Sequence, residues 1–193
     1  NADIAMYRVK KTGKDGYKLF TNEMHTASTE RLMLEQDMRR AIDNDEFEIC
    51  YQPQVNTHNL QICGVEALIR WNHPTLGRLS PADFIPIAED CRLIIEIDKM
   101  TLRKACREIR QYHQKSMPGL RLAVNLSPLM IEKAHFVEDI LKTLEEEQYP
   151  PELLELEITE NILMTDRQDV IKKLLILASK GIQLSIDDFG TGY

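Results

Sequence analysis

Several features are scarce in this 193-residue chain. Basic residues are outnumbered, 24 Lys and Arg against 31 Asp and Glu, for a formal net charge of -7. That balance argues against binding a nucleic-acid polymer, which needs clustered Lys and Arg. No apolar run has the length to span a membrane, and the N-terminus carries no signal-peptide pattern. The four cysteines, Cys50, Cys63, Cys91 and Cys106, are scattered without paired metal-ligand spacing. They read as buried free thiols in a reducing cytosol. The five histidines, among them His58 and His73, fall in turn-like contexts and read as surface residues, not ligands. Internal repeats and low-complexity tracts are also missing. With 43% hydrophobic residues, the chain fits a soluble globular protein of one domain with a fragment of a second.

What is present converges on the last stretch, Gln183-Leu184-Ser185-Ile186-Asp187-Asp188-Phe189-Gly190-Thr191-Gly192-Tyr193. A short apolar run ends in two adjacent carboxylates and a glycine-spaced loop. Neighbouring side chains on a strand point to opposite faces. Asp187 and Asp188 therefore share a site only where the strand ends and the chain turns, and Gly190 and Gly192 supply that turn. Two carboxylates held together need a cation between them or a shared proton. A polar strand-to-helix loop with a capping Asp is the alternative for this stretch alone.

Upstream, Ala2, Ala5, Met6 and Val9 fall at helical spacing, and residues 17–20 form a short strand. Residues 1–22 are too few for a core and read as the end of another domain. Residues 23–45 read as a linking helix, capped by Ser28 or Thr29, with Leu34, Met38, Ala41 and Ile42 in one stripe. Residues 47–52 alternate as a strand that Pro53 closes, and a second strand follows at 62–70. Only a short turn around Asn56-Thr57-His58-Asn59 joins them. A parallel crossover needs about a dozen or more residues, so the pair is an antiparallel hairpin, with Gln52 close to Glu66. Glu66, Leu68 and Arg70 share one face of the second strand. Charges there are costly unless paired or metal-bound, and a Glu66–Arg70 ion pair is the alternative.

Ser80-Pro81-Ala82-Asp83 begins a helix, and Leu102, Ala105, Cys106 and Ile109 continue a helical stripe towards Pro118-Gly119. Residues 122–128 form a strand with Asn125 near its end, where a satisfied core amide is the alternative reading. Phe136, Ile140, Leu141 and Leu144 mark another helix. Residues 154–160 alternate acid and aliphatic and lie between helices, which predicts an internal parallel strand; its acids need a reason. Asp166, Val170, Leu174 and Leu177 give one more helix, capped by Gly181.

Strands alternating with helices after a hairpin are the pattern of a parallel α/β barrel or a doubly wound sheet. Glu66, Asn125, Glu157 and Asp187 come from four different strands, and barrel enzymes gather their catalytic groups at the strands' carboxyl ends. Carboxylates plus an amide oxygen suit a hard cation, Mg2+ or Mn2+. Acids converging on metal ions usually serve hydrolysis at phosphorus, and Arg70 beside them suits a phosphate oxygen.

Two resemblances sharpen this reading. Ala2-Asp3-Ile4-Ala5-Met6-Tyr7-Arg8 followed by Lys14-Asp15-Gly16-Tyr17 resembles the closing segment of GGDEF domains. From residue 46 onward the chain resembles EAL domains. The motifs are Tyr51-Gln52-Pro53, Glu66-Ala67-Leu68-Ile69-Arg70-Trp71, Asp83-Phe84-Ile85-Pro86, Asn125-Leu126-Ser127, Glu157-Ile158-Thr159-Glu160 and Asp187-Asp188-Phe189-Gly190-Thr191-Gly192. The EAL resemblance implies a TIM-type (β/α) barrel with strand 1 antiparallel, about five of its eight strands present. It implies a cyclic di-GMP phosphodiesterase that opens one bond to give linear pGpG, with two Mg2+ or Mn2+ ions. It places Glu66, Asn125, Glu157, Asp187 and Asp188 at the metals, Glu160 as a brace for the loop 188–193, and Gln52, Leu68 and Arg70 at the dinucleotide. The family's catalytic Lys, a further metal-binding Glu and a late Gln lie beyond Tyr193. The chain is therefore expected to be an excerpt or a partner-stabilised fragment, and inactive alone. A homodimer, an upstream GGDEF or sensory domain, and a cytoplasmic location belong to the same expectation, including as the cytoplasmic part of a membrane-attached protein. A non-catalytic cyclic di-GMP receptor is the alternative function.

Overall fold

The computed structural model describes residues 22–115, 117–160, 162 and 168–187. The expected strand at 17–20, the GGDEF-like segment, Asp166 and the loop 188–193 lie outside them.

Helix α1, Asn22–Asp43, enters the fold by burying Met38 and Ala41, with Leu34 and Ile42 packed at the edge of the core. The stripe is as expected, but the helix starts earlier, so Ser28 and Thr29 lie within it and do not cap it. Asp45, in the left-handed region at φ 57°, turns the chain into the sheet.

Strands β1, Phe47–Val55, and β2, Ile62–His73, form the antiparallel hairpin, with Gln52 opposite Glu66. The turn is built by asparagines: Asn56 Oδ1 accepts from the His58 N–H and Asn59 Oδ1 from the Gln61 N–H, the local bonding that favours Asn in turns. Pro53 does not close β1. It lies within the strand, opposite Val65, and β1 is the end strand of the sheet among the described residues, the position at which a missing N–H is tolerated. A short strand not anticipated from the sequence, β3, Gly77–Leu79, folds back on the far end of β2; Gly77, at φ 74°, makes that turn possible.

Helix α2, Pro81–Asp90, begins at the anticipated motif: the Asp83 carboxylate accepts from both the N–H and the hydroxyl of Ser80. Those two bonds hold the Asp83 carboxyl below the usual carboxylate range. The helical stripe is broken, because Arg92 adopts φ 63° and the chain restarts as helix α3, Ile94–Lys115. Then come β4, Arg121–Asn125; the short α4, Pro128–Ile131; α5, Phe136–Glu146; β5, Leu154–Thr159; α6, Gln168–Ser179; and β6, Gln183–Asp187.

The sheet order is β1-β2-β4-β5-β6, with β3 on β2; β2, β4, β5 and β6 run parallel and β1 opposes them. In β5, Leu154, Leu156 and Ile158 are buried while Glu155, Glu157 and Thr159 are half-buried on the other face. The aliphatic face joins the core formed with Phe136, Ile140, Val170 and Leu174. An aromatic cluster of Phe47, Trp71 and Phe84, ring centroids 5.5–5.7 Å apart, fills the end of the core under α1.

The cysteines and one histidine depart from what composition suggested. Cys106 is buried, but Cys50, Cys63 and Cys91 are partly exposed; all four thiols are free. His73 is buried, with Nε2 3.1 Å from Asp37 on α1 and Nδ1 accepting from the N–H groups of Thr75 and Leu76. Its turn-like sequence context hid that α1 covers this turn. Among the described residues no helix is long and apolar enough to cross a membrane.

Candidate active site

The parallel ladder brings four of the sequence-predicted residues to one end of the sheet. Asn125 is level with Glu157, Glu66 is level with Ala123 one pleat below Asn125, and Asp187 is level with Thr159 one pleat above Glu157. Side chains two residues apart on a strand share a face, so all four address the same side. The Asn125 side-chain amide joins the set, donating through Nδ2 to Glu66 Oε1 at 2.9 Å and to Glu157 Oε2 at 3.1 Å. It is thus a bridge between two acids, not an isolated satisfied core amide.

Electrostatics mark the same place. The Glu157 carboxyl is pushed up to about 7, first by burial, then by the charges of Glu66, Glu155 and Asp187 and by its hydrogen bond with Glu66. Acids that crowd one another in this way share a proton or accept a cation. Among the described residues no three His, Cys, Asp or Glu side chains converge closely enough to hold an ion by themselves. Glu66, Asn125 and Glu157 converge instead, with Asp187 following along the strand end. The donors are carboxylate and amide oxygens, so the set fits a hard divalent cation. The amide presents Nδ2 to the two carboxylates; a cation would take its Oδ1.

Arg70 is half-buried on the face of β2 that carries Glu66. The expected alternative, an ion pair with Glu66, is not formed: among the described residues Arg70 has no ion pair, and its Nη1 donates to the Ile69 carbonyl at 2.8 Å. Leu68 lies between them, half-buried, and Gln52 is exposed opposite Glu66. Glu160 directly follows β5. Asp188 and the loop that Glu160 was expected to brace lie outside the described residues.

The sequence reading missed a second polar centre behind the site. A cavity of about 240 Å3 is lined by Leu68, Ile69, Ile85, Asp98, Asn125 and Ser127, among others. Asp98, on α3 and only 6% exposed, accepts from Ser127 N at 3.0 Å and Ser127 Oγ at 2.6 Å. Burial pushes its carboxyl up to about 7 against the opposing effect of those two bonds. Thr101, one turn further along, also faces this wall. The signal was in the sequence: Ile94, Ile97, Thr101, Leu102 and Ala105 form a buried helical stripe, and Asp98 is the acid inside it.

Comparison with known proteins agrees with this geometry. The chain matches the EAL domain family over residues 35–193. It is 39% identical over its full length to the bifunctional diguanylate cyclase/cyclic di-GMP phosphodiesterase MucR of Pseudomonas aeruginosa, covering 28% of that protein. It is 37% identical to the cyclic di-GMP phosphodiesterase NbdA of the same organism, covering 25% of it. The chain thus spans about a quarter of the length of these curated relatives. Among solved structures, the PaMucR phosphodiesterase in complex with c-di-GMP superposes with a TM-score of 0.80 at 38% identity, covering 83% of this chain and 65% of that one. The EAL enzyme Bd1971, bound to cAMP and cyclic di-GMP, gives a TM-score of 0.78 at 31% identity, covering 97% and 49%. The likeness assigns the six-stranded sheet, with its first strand antiparallel, to the TIM-like barrel of EAL structures.

Proposed function

Because this chain belongs to the EAL domain family, we propose that the complete protein is a metal-dependent phosphodiesterase that hydrolyses cyclic di-GMP to linear pGpG. The observation that carries the reading is the Asn125 amide spanning Glu66 and Glu157 from three separate strands. In this reading Glu66, Asn125, Glu157, Asp187 and Asp188 hold Mg2+ or Mn2+, two ions in all. Bound there, the ions would activate water and neutralise charge developing at phosphorus.

The chain's own groups divide the remaining work. Arg70, free of any carboxylate partner among the described residues, offers its guanidinium fork to a phosphate oxygen. Gln52 and Leu68, on the same face, contact the dinucleotide. The Glu157 carboxyl, lifted to about 7 by burial and its acidic neighbours, holds a proton below that pH and would have to give it up to a cation. Glu160 braces the loop 188–193. Residues 1–22 are the tail of a GGDEF-like domain, 23–45 a linker helix and 46–193 the N-terminal part of the EAL domain. The family match begins at residue 35, inside α1. A homodimer in the cytoplasm completes the reading; the four free thiols are compatible with that compartment.

The test is Glu66→Ala in the complete protein, assayed with cyclic di-GMP in excess Mg2+ or Mn2+. The variant is expected to release no pGpG above background. Full turnover by it would sink the site. A parent protein that binds cyclic di-GMP yet yields no pGpG would establish the receptor reading in place of the enzyme.

A further inference from the structure

Asn125 works only if its amide is held where Glu66 and Glu157 can both reach it. Its own strand ends at that residue, so its position depends on what fixes residues 126 and 127. On one side the Leu126 N–H donates to the Glu157 carbonyl at 3.0 Å. On the other, both donors of Ser127, N–H and hydroxyl, point to one oxygen of Asp98. The Ser127 hydroxyl also accepts from the Met130 N–H at 3.2 Å, which starts α4. The turn after Asn125 is therefore tied to β5 through the backbone and to α3 through a single carboxylate.

That carboxylate is an odd choice for stability alone. Asp98 is surrounded by the apolar residues Ile94, Ile97 and Leu102 of its own helix, and among the described residues it has no cationic partner. A buried carboxyl without one is costly to ionise. What it provides is a single oxygen that accepts both donors of Ser127, aimed at the segment two residues past the site amide. Reacting groups lose much of their effect when displaced by about 1 Å.

We propose that Asp98 is a positioning residue for the metal site, acting through Ser127 to set the Asn125 amide between Glu66 and Glu157. The proposal rests on the reading that Asn125 serves a metal-dependent reaction, and its test is arranged to separate the two. Four variants of the complete protein are compared: Asp98→Asn, Ser127→Ala, the double variant, and Asn125→Ala. Asp98→Asn keeps the size and one acceptor oxygen but turns the other oxygen into an N–H donor. Its kcat for cyclic di-GMP is expected to fall roughly tenfold with KM within about twofold. Mn2+ affinity, measured by calorimetry without nucleotide, is expected to fall roughly tenfold, as is usual when residues supporting metal ligands are changed. The thermal midpoint should move little. Because Asp98 acts through Ser127, the double variant should lose no more than either single variant.

Wild-type kcat and Mn2+ affinity in Asp98→Asn would overturn the proposal, as would losses that add in the double variant. If Asp98→Asn does not fold, Ser127→Ala carries the test: the same split between kcat and KM supports the proposal, and an unaffected enzyme refutes it. Asn125→Ala reports on the underlying reading. If that variant retains hydrolysis and Mn2+ affinity, the site assignment itself has failed. If it loses both while Asp98→Asn loses neither, only the positioning role has failed.

Discussion

Replacing Glu157 with glutamine should make the ion-free protein more stable at pH 8 and leave it unchanged near pH 4.5. Glu157 is crowded by burial and by Glu66, Glu155 and Asp187, which lifts its carboxyl from 4.5 to about 7. The unfolded side chain releases its proton near 4.5, the folded one near 7. The folded state therefore binds the proton more tightly, and stability falls as pH rises through that window. A gap of this size is worth about 3 kcal/mol for a fully buried carboxyl. Glu157 is only half-buried, and solvent screening reduces the figure to about 1–2 kcal/mol. A glutamine there would keep the shape and an acceptor for Asn125 while removing the penalty. Denaturant unfolding of both proteins in chelator, from pH 4.5 to 8, cancels the titrating groups remote from Glu157 and reads that carboxyl together with its acidic neighbours. The same proton should appear when Mn2+ binds. More proton should leave Glu157 at pH 6 than at pH 8, counted by calorimetry in two buffers of different ionisation heat. Parallel pH profiles for the two proteins, or a Glu157→Gln variant less stable at pH 8, would refute the electrostatic account of the site.

Arg70→Ala should weaken cyclic di-GMP binding at least tenfold while leaving Mn2+ affinity near the parent value, because a guanidinium cannot ligate a cation; calorimetry with each ligand decides, and the opposite pattern removes Arg70 from the substrate face. Trp71→Ala should cost about 3–5 kcal/mol, since Trp71 is fully buried against Phe47, Phe84 and His73 and donates through Nε1 to Glu46. A shift in the denaturation curve worth less than about 1 kcal/mol would show that this aromatic cluster is not the structural corner it looks to be.

The hairpin was legible because a turn of a few residues leaves only one geometry, and the internal place of β5 because helices flank it. The candidate site residues stood out because Glu66 and Glu157 are acids set among aliphatic residues on strands, and Asn125 and Asp187 are polar groups at strand ends; the structure brings Glu66, Asn125 and Glu157 together. What escaped the sequence did so for local reasons. Pro53 signals a strand end, yet an end strand accepts it. The break between α2 and α3 has neither Gly nor Pro to announce it; Arg92 takes the left-handed conformation instead. Strand β3 is three residues long, too short to show a period. His73 looks like a turn residue, and only the docking of α1 buries it. The Asp98–Ser127 bond joins residues 29 apart, a tertiary fact that no local pattern encodes, although an acid within an apolar helical stripe could have raised the question.

The alternation in β5 has a consequence for the uniqueness of the fold. A slip of one residue against β4 would turn Glu155 and Glu157 into the helix-covered core and push Leu154, Leu156 and Ile158 towards the polar face. Since the strand's side-chain period is two, every residue would be wrong at once. A slip of two residues would keep the faces but set Glu155 or Thr159 beside Asn125 in place of Glu157. The first error is punished by burial, and the second breaks or distorts the bridge from Asn125 to Glu157. The carboxylate read here as a metal ligand thus also serves as a register mark, by which correct pairing of the strand can be told from its nearest imitation.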